Sequence, residues 1–173
     1  CSDGSSLSAK VTASGEYQAQ LSSGETRQFA AQVPDAFEIT DWDVTVMKHT
    51  ASEQVNERTE TLFGQTITET QVATDITPVT LHLDALKTWN EIPELGERTV
   101  GHATYKAVFQ WDDTADGAYI DFGLMSESMQ VFINGEKTGN LSMTNAVMDI
   151  TPWLKNGENT IALLYSSSLA NAG

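Results

Sequence analysis

Apolar residues recur at every second position over much of the chain, and the places where the alternation stops mark the turns. Tyr17, Ala19 and Leu21 share one parity. Ser22, Ser23, Gly24 and Glu25 interrupt, and Phe29, Ala31 and Val33 resume it, which predicts a hairpin over residues 17–34 that ends at Pro34. Phe37 and Ile39 lie on one parity and Trp42, Val44 and Val46 on the other, so a bend or bulge is expected at Thr40 and Asp41. Residues 49–60 carry one apolar anchor, Val55, and read as a long exposed loop. Leu62, Phe63 and Ile67 flank Gly64 in a segment that the pattern leaves unassigned. Val79, Leu81 and Leu83 predict a half-buried strand beginning just past Pro78, and residues 84–89 read as a helical turn or a loop.

The carboxyl-terminal half is more explicit. Ala103, Tyr105, Ala107, Phe109 and Trp111 form one strand face, residues 112–117 turn the chain, and Ala118, Ile120, Phe122 and Leu124 form the next face. Residues 129–133 predict a strand closed by Asn134-Gly135, a pair in which both residues tolerate positive φ. Asn156-Gly157 marks another turn before residues 161–165, which are apolar on both parities and read as an interior strand covered on both sides. Short strands with frequent turns, and no helical crossovers, predict an all-β sandwich.

Composition narrows the function classes. A chain of 173 residues supports one sizeable core, and an apolar fraction of 40% fits a folded domain. No apolar run approaches the roughly 20 residues of a membrane-spanning helix, so no transmembrane segment is expected. Asp and Glu number 24 against 9 Lys and Arg, a formal charge of −15, which repels a phosphate backbone and makes nucleic acid a poor partner. The one cysteine, Cys1, excludes an intrachain disulfide and a thiolate metal cluster. Followed by Ser2, Asp3, Gly4, Ser5 and Ser6, it would suit a lipid-modified terminus on a flexible tether; a start point without chemical meaning is the simpler account.

Several segments in order resemble a known family: Gly101-His102-Ala103-Thr104-Tyr105, Val108-Phe109, Tyr119-Ile120-Asp121-Phe122-Gly123, Val131-Phe132-Ile133-Asn134-Gly135-Glu136-Lys137-Thr138-Gly139, Asp149-Ile150-Thr151-Pro152-Trp153-Leu154-Lys155 and Gly157-Glu158-Asn159-Thr160-Ile161. Together they resemble the galactose-binding-like jelly-roll modules attached to glycoside hydrolases. The likeness is to the sandwich modules of β-galactosidase and β-glucuronidase relatives and to the carboxyl-terminal module of bacterial α-L-rhamnosidase-like enzymes. It is dense from Gly101 onward and thinner back to Phe37. It implies a galactose-binding-domain-like jelly-roll β-sandwich over residues 35–173, cut short at its carboxyl end. A flexible tail (1–16) and the hairpin (17–34), which could belong to a neighbouring domain, precede it. Within it, Asn134, Gly135, Gly157 and Asn159 read as turn residues, and Asp149 or Thr151 as the cap of the short turn holding Pro152 and Trp153.

Candidate chemistry is sparse. Carboxylate pairs such as Glu91/Glu94 and Asp112/Asp116 are inevitable among 24 acids, and the resemblance is to modules whose enzymes carry their catalytic acids elsewhere, so no catalytic residue is assigned. Asp112, Asp113 and Asp116 form the best local oxygen cluster for a structural calcium ion, although a solvated hairpin turn is the simpler account. His49, His82 and His102 are dispersed and read as surface or locally hydrogen-bonded groups. Trp89 and Trp153 lie in connections and are the candidate sugar platforms, with packing as the alternative. Asn140-Leu141-Ser142 fits a glycosylation acceptor and carries no functional weight.

The expected function is a non-catalytic accessory domain of a larger extracellular, periplasmic or cell-surface glycoside hydrolase-like protein. Its partners are the catalytic or other domains of the same chain, with carbohydrate a further candidate. An autonomous carbohydrate-binding module and an adhesion domain are the alternatives.

Overall fold

The computed structural model describes residues 9–62, 65–96, 99–123, 128–142, 144 and 146–167. Cys1, Phe63, Gly64, Leu124 and residues 169–173, on which several expectations fell, lie outside the described residues. The chain divides into two compact units, Cys1–Glu38 with Asp113–Asp116, and Ile39–Asp112 with Gly117–Gly173.

The first unit holds a hairpin of β1 (Gly15–Gln20) and β2 (Thr26–Ala31), with Tyr17 opposite Phe29. Their rings stack with centroids 5.5 Å apart. Gly24 takes φ 87 in the turn, where its N–H donates to the Leu21 carbonyl. Beyond the strands, Ser14 and Val33 are tied by hydrogen bonds of 2.8 and 3.1 Å.

The second unit is built on a six-stranded antiparallel sheet. Its members are β3 (Trp42–Leu62), β4 (Gln65–Leu83), β5 (Val100–Trp111), β7 (Met129–Ile133), β8 (Glu136–Leu141) and β10 (Gly157–Ser167). They lie in the order β4-β3-β5-β10-β7-β8, and β6 (Tyr119–Asp121) pairs with β9 (Val147–Asp149) in a separate two-stranded sheet. The all-β expectation holds.

Register aligns the apolar parities into one buried face. Val44 stands opposite Leu81 on one side and Tyr105 on the other, Tyr105 opposite Leu163, and Leu163 opposite Val131. Trp42, Val44, Val46, Ile133, Ile161 and Leu163 are buried, and Ile120, Met148, Ile92, Leu95 and Ile150 pack on the same core from β6, β9 and the connections. Fully burying one such aliphatic side chain is worth about 1.5–3 kcal/mol, so this face is the main source of stability. The parity change before Trp42 is resolved at Asp41, which takes φ 59 and turns the chain into β3.

Three expectations are corrected. Residues 49–60 are no loop: β3 runs through them to Leu62, paired with β4 as far as Gln65, with one register shift between Ala51 and Val55. This distal arm extends beyond the sheet, since β5 pairs with β3 only as far as His49. Most of its side chains are exposed, which removes the apolar parity that would have revealed it. Pro78 does not begin a strand. It sits inside β4 opposite Met47, which is allowed because β4 is the sheet edge and no neighbour needs its missing N–H. Residues 161–165 are interior in hydrogen-bonding order, between β5 and β7, yet only one face is covered: Leu164 is 41% exposed and Val108, on the same side, 53%.

Candidate functional site

The Asn-Gly turn and the start of β10 are knotted together by two amides. Asn134 takes φ 51 and Gly135 φ 83, the positive-φ pair of a tight hairpin turn. The Asn134 side chain donates to the Trp153 carbonyl at 2.8 Å and to Asn159 Oδ1 at 2.9 Å, and accepts from the Thr160 N–H at 3.1 Å. Asn159 is 0% exposed. It donates to the carbonyls of Lys155 and Gly157 and accepts from the Lys155 N–H at 2.8 Å, so its amide is fully engaged. Gly157 opens β10 at φ 93. Asp149 Oδ1 accepts from the Thr151 N–H at 3.0 Å, and Thr151 Oγ1 accepts from the Ala118 N–H at 3.2 Å. The Thr151 side chain fills the space that a Cβ on Gly117 would occupy. These residues fix where elements meet, and their polar groups are spent on one another.

Trp89 and Trp153 are half-buried and pack against the core. The Trp89 indole donates to the Tyr105 hydroxyl at 2.7 Å and its ring meets Tyr165 edge-on at 5.1 Å. Desolvation raises the Tyr105 pKa above its ordinary value, although the hydrogen bond from Trp89 pulls the other way. Trp89 opens a short 3₁₀ turn, Trp89–Glu91. Ahead of it, the Glu91 carboxylate accepts from the Thr88 hydroxyl at 2.7 Å and N–H at 3.0 Å, which holds the Glu91 pKa below the usual carboxylate value. Trp153 closes the second such turn, Thr151–Trp153.

Asp112, Asp113 and Asp116 are exposed, and the division between the two units passes between Asp112 and Asp113. Among the described residues, the one set of three potential metal-binding side chains with ligand atoms within 4.8 Å of one another is a different one: Asp41, His82 and Asp84. It sits at the open base of the β3–β4 hairpin, where the chain enters and leaves it, with Asp43 opposite His82 and the Asp41 N–H donating to the Asp84 carbonyl. His82 Nδ1 lies 3.1 Å from Asp43 Oδ1, and Nε2 lies 3.7 Å from Asp41 Oδ1. The Asp43 hydrogen bond is the largest cause of a His82 pKa above the ordinary imidazole value, and the charges of Asp43, Asp41 and Asp84 add to it.

Reading the sequence missed this group because Asp41 lies some 40 residues from His82 and Asp84, and the three form no local motif. The signal was available in the alternations: aligning Trp42-Val44-Val46 against Val79-Leu81-Leu83 as a hairpin sets Asp43 against His82. Farther along β3, His49 Nε2 is buried with no hydrogen-bond partner among the described residues, and its ring meets His102 edge-on at 5.4 Å.

On the uncovered side of the six-stranded sheet lies a shallow depression of about 540 Å³, lined by Asp41, Asp43, Lys106, Val108, Thr160 and Ala162 among others. Among the described residues, no aromatic ring lines it. No described helix is long and apolar enough to cross a membrane.

The fold has a relative of known structure. Over 94% of its length the chain is similar to part of a rhamnosidase from Novosphingobium sp. PP1Y, with a TM-score of 0.54 and 16% identity. The matched region makes up 12% of that enzyme's chain. At this identity the likeness is one of fold. No family model and no curated protein matches the chain.

Proposed function

We propose that this chain is a non-catalytic accessory β-sandwich domain of a larger glycoside hydrolase-like protein, seated against another domain of the same polypeptide. The observation that carries this reading is the fold match, in which nearly the whole chain corresponds to a small part of a rhamnosidase. The surface supports it. Val108, Ala162, Leu164 and half-buried Phe132 lie on the face of the main sheet that no strand of the second unit covers, and such a face suits burial against a neighbouring domain. Support fits better than sugar recognition, because Trp89 and Trp153 are engaged in packing and, among the described residues, the depression offers no ring on which a sugar could stack.

The test compares this segment alone with the longest natural polypeptide that contains it. Amides of β5 and β10 should exchange hydrogen more slowly in the longer chain. The double variant Val108→Lys/Leu164→Lys should lower the melting temperature of the longer chain while leaving that of the segment within a few degrees. Equal exchange in both contexts would reject the docked arrangement. Hydrolysis of aryl glycosides by the segment itself would reject the non-catalytic role.

A further inference from the structure

The geometry points to a divalent metal site at the base of the β3–β4 hairpin, with His82 Nε2 and one carboxylate oxygen each from Asp41 and Asp84 as ligands and Asp43 as the group that orients the histidine. It is independent of the accessory-domain reading and rests on the arrangement of four side chains.

The donor set comes first. An imidazole nitrogen with two carboxylate oxygens suits a borderline first-row ion of the zinc class better than calcium, which prefers six or more oxygens. The ligand atoms stand within 4.8 Å of one another, and Nε2 is 3.7 Å from Asp41 Oδ1. Two ligands about 2.1 Å from a tetrahedral ion are about 3.4 Å apart. The three atoms must therefore close by an ångström or so, which small rotations of exposed aspartates provide.

The second observation concerns the other ring nitrogen. With the proton on Nδ1, His82 donates to Asp43 Oδ1 at 3.1 Å, which leaves the Nε2 lone pair on the side of Asp41. A carboxylate behind the histidine fixes tautomer and ring orientation in metal centres and raises the basicity of the ligating nitrogen.

Position adds a third. The ligands hang on backbone that is already held: Trp42 pairs with Leu83, the buried Trp42 indole donates to the Ile39 carbonyl at 2.9 Å, and the Asp41 N–H reaches the Asp84 carbonyl. Ordering the site on binding therefore involves mainly side chains. Three protein ligands leave a coordination position open. Asp41 and Asp43 also line the depression on the uncovered sheet face, so the site borders that depression.

The test is isothermal titration calorimetry of the tag-free, chelator-stripped protein with zinc chloride, and separately with calcium chloride, at pH 7.5. One equivalent of zinc should bind, at least tenfold more tightly than calcium. His82→Gln and Asp84→Asn should each weaken zinc at least tenfold, and Asp43→Asn should weaken it about tenfold while keeping one equivalent. These side chains are exposed, so circular dichroism should show every variant folded. His102→Gln should bind like the parent. Absence of saturable zinc binding up to millimolar metal would overturn the site, as would unchanged affinity in both His82→Gln and Asp84→Asn. Loss of binding in His102→Gln would place the ion at the His49–His102 pair instead and overturn it equally.

Discussion

The carboxyl-terminal strands β5, β7 and β10 and the distal arm of β3 and β4 are both antiparallel ladders, yet they are held by different forces. In the first, alternate residues enter a common core and amides such as Asn159 tie the turns to it. In the second, residues 53–75 project past the sheet with most side chains in solvent, and the ladder rests on its own hydrogen bonds and on cross-strand neighbours such as Val55 with Val72 and Thr59 with Thr68. Pairs of that kind contribute about 0.2–1 kcal/mol each, against about 1.5–3 kcal/mol for a buried aliphatic residue. A strand can therefore persist where the hydrophobic effect scarcely reaches it, provided that it grows out of a hairpin whose base is anchored.

The seam between the two regions is where the contrast breaks most severely. A Cβ on Gly101 would lie 2.0 Å from the Met47 carbonyl oxygen, a backbone atom that cannot swing aside, so Gly101→Ala should cost about 3 kcal/mol or more in chemical denaturation. A loss under 1 kcal/mol would mean that β3 slides easily over β5. Next comes Asn159→Ala, which strands the Lys155 N–H and one Asn134 donor. It should cost about 2–3 kcal/mol and leave the arm's cross-strand contacts unchanged by nuclear magnetic resonance. Gly135→Ala meets no atom within 4 Å but must adopt φ 83, so about 1 kcal/mol is expected from backbone strain alone.

In the arm, Glu57→Lys should fall within about 0.5 kcal/mol of the parent, and amides of residues 53–75 should exchange far faster than those of β10. Protection of the arm equal to that of β10 would erase the distinction. The smallest effect is one of pH. Tyr105 has a raised pKa when folded, so the folded state holds its proton more tightly than the unfolded chain. The resulting stabilisation is complete below pH 10 and is lost as pH rises through the folded value. Tyr105→Phe should therefore flatten the alkaline decline seen by thermal melting.

How much of this was legible follows from the same contrast. Where one face is buried, the sequence states it: Ala103, Tyr105, Ala107 and Phe109 mark β5, and residues 129–135 mark β7 with its turn. The arm was hidden because alternation is a record of burial, and residues 53–61, exposed on both faces, leave none. Pro78 misled for a related reason, since a proline excludes a central strand but not an edge one, and edge position is a property of the assembled sheet. The Asp41–His82–Asp84 group belongs to the pairing of two strands and to neither strand by itself. The likeness read from the carboxyl-terminal segments is matched only coarsely, by the all-β class and by a distant similarity to part of a rhamnosidase.

The Asn134-Gly135 turn has a chemical consequence besides its shape. In a flexible chain, asparagine before glycine is the pair most prone to cyclise through attack of the following backbone nitrogen on the side-chain amide, which ends in deamidation. Here that amide is committed to Trp153, Asn159 and Thr160, and reaching the attacking geometry requires giving up all three. Native protein should keep this asparagine through long storage. The fraction of molecules one dalton heavier at Asn134 would then serve as a clock that runs only while the turn is open, recording how long the population has spent unfolded.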